Sequence, residues 1–171
     1  RVSAITRSAI GDINGKTNWR AHLSGIDAIV HLAARVHVMQ DTADDPLSLY
    51  RTVNTEGTIR LAKTAREVKV RRFVFVSSIK VNGERSDDHL TAQDPAAPQD
   101  PYAVSKWEAE QALIQMSSDL DIVRLRPPLV YGPNVKGNFR RLIKLVDKGI
   151  PLPLASVRNR RSFISLANLT D

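Results

Sequence analysis

The sequence predicts an α/β protein built on a doubly wound parallel sheet. Three observations predict it. Short, dense apolar runs at 26–34, 73–76 and 122–125 have the composition of parallel strands buried on both faces. Between them, 47–68 and a stretch beginning near Tyr102 carry apolar residues at helical spacing. The resulting order, strand, helix, strand, helix, strand, is that of successive βαβ units.

The elements follow in chain order. Residues 2–6 read as a short strand, and 26–34 as a buried one. In 47–68 the positions Leu49, Val53, Gly57, Leu61, Ala65 and Val68 form one apolar stripe. Residues 73–76 are the next strand. The following helix has Asp100 as N-cap and Pro101 at its first position, and buries Ala109, Ala112, Leu113 and Met116. A strand at 122–125 comes next. A helix at 138–146, stopped by Gly149, closes the series. The polar stretch 84–100, with Asp87, Asp88, Asp94 and Asp100, is long for a plain connection and reads as the border of a site.

Composition narrows the function. With 171 residues and 42% apolar content the chain can bury a core, which a disordered composition cannot. The absence of cysteine removes thiolate nucleophiles, Fe–S clusters, disulfides and Cys-type zinc sites. No apolar run is long enough for a membrane span, and the first residues lack the apolar core of a signal peptide. The net charge is +7, with basic residues at Arg140-Arg141 and from Arg158 to Arg161. With aromatics at only 5% and no recognition motif, a nucleic-acid partner is not expected; an anionic small substrate fits better.

Parallel sheets bind ligands at the carboxyl ends of their strands, which directs attention to 33–37, 77–83 and 126–134. The sharpest feature is Tyr102-Ala103-Val104-Ser105-Lys106: Tyr102 and Lys106 share one helix face. An ammonium beside a phenol lowers its pKa, the helix N-terminus adds a positive field, and such a tyrosine can exchange a proton with a hydroxyl. Ser77 and Ser78 directly follow a strand. A hydroxyl there can hold the same substrate oxygen, although turn capping is the plainer role. Together the three kinds of group supply a donor, an acid/base and a residue that tunes the base.

With these residues in place the chain resembles an extended short-chain dehydrogenase/reductase of the NAD-dependent epimerase/dehydratase group, near UDP-glucose 4-epimerase-like enzymes. The pieces that carry the resemblance are Gly11-Asp12-Ile13, His31-Leu32-Ala33-Ala34, Val53-Asn54-Thr55-Glu56-Gly57-Thr58, Val76 to Gly83, Tyr102 to Lys106, Arg126-Pro127-Pro128-Leu129-Val130-Tyr131-Gly132-Pro133 and Arg161-Ser162-Phe163-Ile164, in order. The resemblance implies a Rossmann-like fold, with Tyr102 as catalytic tyrosine and Lys106 as the lysine that binds the nicotinamide ribose and tunes it. Ser78 would hold the reacting hydroxyl, with Ser77 beside it as a cofactor contact. Asp12 and Ile13 would flank the adenine, and Ala33 and Ala34 would let the dinucleotide approach the backbone. Asn54 would lie behind the nicotinamide, an internal helix hydrogen bond being its plainer role. Pro127 and Pro128 would form the turn beside the nicotinamide. Asn138 and Arg161 would contact the substrate diphosphate; the plainer readings are an N-cap and a solvated basic cluster.

The resemblance implies NAD as cofactor, a UDP-linked nucleotide sugar as substrate, a homodimer through the helices 47–68 and 102–117, and a cytoplasmic enzyme of polysaccharide assembly. The implied reaction interconverts C4 epimers through a 4-keto sugar, with Tyr102 moving the hydroxyl proton. Two alternatives are a 4-keto nucleotide-sugar reductase and a catalytically silent dinucleotide- or RNA-binding regulator. No Asp-Glu pair follows the serine segment, which argues against a dehydratase. Thr6-Arg7, where an acidic residue is usual for NAD, leaves NADP as the other cofactor. The glycine-rich fingerprint is absent, so the dinucleotide-binding part, placed at 1–135, reads as incomplete at its N-terminus. Residues 136–171 read as the start of a substrate lobe that is otherwise missing.

Overall fold

The computed structural model describes residues 2–36, 45–86, 88–135, 137–151 and 160–171. They divide into two compact units, Arg1–Arg126 and Pro127–Asp171. His37, Asp87, Arg158 and Asn159, which the sequence reading singled out within longer stretches, lie outside the described residues.

In the first unit a short helix α1 (Arg7–Ile10) precedes strand β1 (Ala28–His31). Helix α2 (Pro46–Tyr50), a π-helical segment Arg51–Glu56 and helix α3 (Gly57–Glu67) run on without a break. Strand β2 (Arg72–Val76), a 3₁₀ turn Ile79–Asn82, helix α4 (Pro101–Ile114) and strand β3 (Asp121–Leu125) complete it. The three strands are parallel in the order β1-β2-β3, with Ile29 opposite Phe73 and Phe73 opposite Ile122.

The register decides what is buried. Ile29, His31, Phe73, Phe75 and Ile122 share one face, and on it lie Leu61, Ala65, Ala109 and Leu113 from α3 and α4. Both crossovers pack there, because same-handed connections between consecutive parallel strands return over the same face. The opposite face is also apolar, yet Val30 is 59% exposed and Leu125 is exposed too. The expectation of strands covered on both sides therefore holds for composition and not for burial: among the described residues only one face carries helices.

Two further readings need correction. Residues 2–6 form no strand among the described residues: Val2 is 98% exposed, and extended backbone without a ladder partner has nothing to pair with. Residues 26–34 shorten to four in β1. The helix over 47–68 is present but not uniform. The spacing predicts a stripe that starts on Leu49 and Val53, whereas Leu49 is 41% exposed and the buried residues are Tyr50 at 4% and Asn54 at 0%. The wider π turn shifts the buried face by one residue before α3 resumes on Leu61 and Ala65. At that junction a Cβ on Gly57 would overlap Ile13 Cγ2, so only glycine lets the 11–17 loop lie against the helix.

The second unit holds strand β4 (Leu129–Tyr131), helix α5 (Gly137–Asp147), strand β5 (Phe163–Ser165) and helix α6 (Leu166–Thr170). β4 and β5 are parallel, and Phe139 bridges them, with ring centroids 5.7 Å from Tyr131 and 5.1 Å from Phe163. Gly149, at φ 64°, follows the end of α5, as its sequence position indicates.

Candidate active site

The site is built at the carboxyl end of β2. Ser77 extends the ladder by donating its N–H to Leu125 O at 2.7 Å. Ser78 then turns the chain: its hydroxyl accepts from Lys80 N and caps the 3₁₀ turn. Gly83, at φ 119°, ends that turn, and Ala97 N donates to Val81 O at 2.9 Å, so the polar stretch folds back on it. The chain then enters α4 as the sequence indicates, with Asp100 Oδ1 accepting from Ala103 N at 2.7 Å and Pro101 following.

This sets Tyr102 beside Ser78, whose side chain favours the ionised phenol. Tyr50 packs edge-on against the Tyr102 ring at 6.3 Å. The expected depression of the Tyr102 pKa is not found. Burial pushes the phenol above its ordinary value of 10, and the Asp100 carboxylate pushes the same way, while the Ser78 side chain and the Lys80 ammonium oppose. The Lys80 ammonium is thus one cation that favours the phenolate.

Lys106 lies one turn further along α4, 1% exposed, with Nζ 4.0 Å from the centroid of the Phe75 ring. Burial drives its pKa down to about 7, against the pull of the Glu110 carboxylate. His31 is buried between Phe73 and Phe75 and bonds Thr58 Oγ1 at 3.0 Å; burial, and then the Lys106 charge, lower its pKa to about 3. It is therefore a neutral packing group.

Asn54 departs from the plainer role offered for it. Its side-chain bonds all leave its own helix. Its Oδ1 accepts from Arg35 N at 2.8 Å, and its Nδ2 donates to Arg35 O at 3.0 Å and Ser105 Oγ at 2.9 Å. One side chain thus clamps the segment after β1 to the turn of α4 that carries Tyr102 and Lys106. Thr55 Oγ1 donates to Ser105 O at 2.9 Å, and Arg51 forks onto Glu108, adding stitches from the same π segment. Ala33 is exposed and Ala34 half-buried, just before the clamped Arg35.

Asp12 is exposed and paired with Arg7, while Ile13 packs against the core. Arg7 opens a helix and not a strand end, so it does not stand where the cofactor argument placed it. In the second unit, Pro127 and Pro128 are half-buried before β4, Asn138 is exposed in the first turn of α5, and Arg161 is exposed before β5.

The sequence reading missed Glu110 and Arg126 as partners. Glu110 is fully buried, and Arg126 donates to both its oxygens, the shortest contact being Nη2 to Oε2 at 2.7 Å. Arg126 also donates to Asn82 Oδ1 at 3.1 Å, tying the end of β3 to the serine turn. The available signal was the i, i+4 spacing of Tyr102, Lys106 and Glu110 on one helix face.

The donor set suits a dinucleotide. Ser77 Oγ is buried with no hydrogen-bond partner at the end of β2, the buried Lys106 stands on α4, and two small side chains follow β1. A parallel sheet with a serine turn facing a tyrosine and a lysine on the next helix defines the class of extended short-chain dehydrogenases/reductases. The model of the NAD dependent epimerase/dehydratase family matches residues 2–169, and the chain belongs to that family. It is 48% identical over 167 residues to a UDP-glucose 4-epimerase of Vibrio cholerae, covering 95% of this chain and 51% of that protein. It is 28% identical to the N-acetyl-alpha-D-glucosaminyl-diphospho-ditrans,octacis-undecaprenol 4-epimerase of Escherichia coli O157:H7, covering 95% and 49%. The solved structure of MoeE5 in complex with UDP-glucose and NAD superposes with a TM-score of 0.76 at 27% identity, covering 93% of this chain and 54% of that one. The chain therefore spans about half the length of the relatives it matches. No described helix is long and apolar enough to cross a membrane.

Proposed function

We propose that the protein interconverts C4 epimers of a UDP-hexose or UDP-N-acetylhexosamine with NAD, through a 4-keto sugar. The observation that carries this reading is the Ser78–Tyr102 pair at the end of β2, with the buried Lys106 one turn away. The 48% identity to a UDP-glucose 4-epimerase supports the reaction type.

Tyr102 takes the proton of the sugar 4-hydroxyl and later returns it, while Ser78 holds the same oxygen by a hydrogen bond. Lys106 and the orphaned Ser77 hydroxyl bind the cofactor, with Ala33 and Ala34 allowing its backbone approach and Asp12 and Ile13 bordering the adenine. Asn54, its polar atoms engaged with Arg35 and Ser105, acts as a positioning residue. Bound NAD supplies the acceptor and donor of the C4 hydride. Pro127 and Pro128 belong to the cofactor side, Asn138 and Arg161 to the substrate diphosphate. The enzyme acts in the cytoplasm, where nucleotide sugars and NAD meet, and as a homodimer through its two long helices; light scattering showing only single copies would refute the dimer.

The test is incubation of the intact protein with UDP-glucose and UDP-N-acetylglucosamine, without added nucleotide, followed by proton NMR of the sugar. Appearance of the C4 epimer, and NAD released from the denatured protein, is the expected result. No epimer, with oxidation of NADPH on a supplied 4-keto nucleotide sugar, would make it a reductase.

A further inference from the structure

Both ends of the serine turn are tied to two adjacent residues at the end of β3. At its start Ser77 N donates to Leu125 O at 2.7 Å, a main-chain bond that does not depend on side chains. At its far end Arg126 Nη1 donates to Asn82 Oδ1 at 3.1 Å, a bond between two side chains. Ser78 lies between these ties, and inside the turn Val81 N donates to Ser78 O at 3.1 Å. The second tie is itself fixed. Asn82 is 8% exposed, and Arg126 donates from Nε and Nη2 to the fully buried Glu110 of α4. Arg124 Nη1 stands 3.9 Å from the same carboxylate, and the Trp107 ring centroid lies 5.5 Å from the Arg126 guanidinium carbon. Asn82 Nδ2 in turn donates to Asp94 O at 3.3 Å, in the polar stretch.

We propose that Asn82 is a positioning residue for Ser78: gripped by Arg126, which Glu110 holds, it fixes the far end of the serine turn and with it the place of the Ser78 hydroxyl. The donors of one planar guanidinium do not move independently, so the α4 carboxylate on one edge sets where Asn82 stands on another. A hydrogen bond with a charged partner is about twice as strong as a neutral one, so the Arg126 arm outweighs the Asp94 arm. The effect on catalysis rests on the reading of Ser78 as the group that holds the reacting oxygen. The effect on the turn does not.

Asn82→Leu removes both arms at nearly constant volume. Asn82→Asp keeps an acceptor for Arg126 and gives up the bond to Asp94 O. The amides of Val81 and Gly83, bonded to Ser78 O and Lys80 O, should exchange roughly tenfold faster in Asn82→Leu and at the wild-type rate in Asn82→Asp. The amides of Ala109 and Leu113 in α4 should be unchanged in both. On UDP-glucose, Asn82→Leu should lower kcat by about 10–100-fold with KM unchanged, because Ser78 holds only the reacting oxygen. That loss should vanish in a Ser78→Ala background. A merely structural role would lower both backgrounds by the same factor.

The measurement is amide hydrogen exchange by NMR on the intact protein, with epimerisation kinetics of wild type, the two single variants Asn82→Leu and Ser78→Ala, and their double. Faster exchange confined to the turn, restored in Asn82→Asp, and no further loss of kcat in the double variant support the inference. Turn amides as slow as in wild type, α4 amides accelerated alike, no restoration in Asn82→Asp, or an equal loss in both backgrounds overturn it. Asn82→Ser, too short to reach Arg126, takes the place of Asn82→Leu if that variant fails to fold. An inactive wild type would refute the proposed function, and the exchange rates would still decide for or against Asn82.

Discussion

Burial governs the charged residues of this site more than their neighbours do. Lys106 stands at about 7 in the folded protein, against 10.5 in its ordinary state. Between those values the unfolded chain holds more protons, so stability rises with pH. The favourable contribution is full above 10.5 and is lost as pH falls through about 7. Urea unfolding at pH 7 and pH 9 should show wild type gaining stability over that interval relative to Lys106→Met; equal changes in both proteins would refute the assignment. Glu110 is the second residue of this kind. Removing it as Glu110→Ala takes the carboxylate from Arg126, which keeps Asn82 Oδ1, and takes the only described carboxylate acting on Lys106, a loss of about 3–5 kcal/mol in denaturant unfolding. The i, i+4 relation of Lys106 and Glu110 was legible in the sequence. Its meeting with Arg126 was not, because that contact exists only once β3 lies beneath α4.

The elements show where periodicity suffices and where it does not. The cap and first turn of α4 were readable because Asp100 and Pro101 act locally. The π segment Arg51–Glu56 was not, because its residues are ordinary helix formers and the register shift comes from packing. Its product is Asn54, aimed across at Ser105 and back at Arg35. Close packing beside it rests on Gly57. Gly57→Ala should destabilise the protein by about 1–3 kcal/mol, since the new methyl meets Ile13. Adding Ile13→Ala should recover part of that loss, so that the double variant is more stable than the summed single effects imply. Strict additivity in thermal unfolding would show that the contact does not limit this junction.

For the molecule as a whole, the parallel order of β1, β2 and β3 and the position of the site at their carboxyl ends followed from alternating strand and helix patterns. Coverage of the sheet did not follow. Val30 and Leu125 have the composition of buried strand residues, yet pattern alone does not say whether a second layer is present. The core itself carries a pH limit. His31, lowered from 6.5 to about 3, is neutral in the fold, so the unfolded chain gains a proton first on acidification. Its contribution is present above 6.5 and is lost as pH falls towards 3. His31→Gln should lessen the loss of stability between pH 6.5 and 4; an unchanged slope would place the acid sensitivity elsewhere.

In the proposed function Tyr102 moves the proton of the sugar 4-hydroxyl. It is tested most directly by the C4 epimerisation rate of the intact Tyr102→Phe protein on a UDP-hexose, with circular dichroism confirming an unchanged fold. The expected result is a fall of about 10²–10⁴-fold. A rate equal to wild type would contradict it.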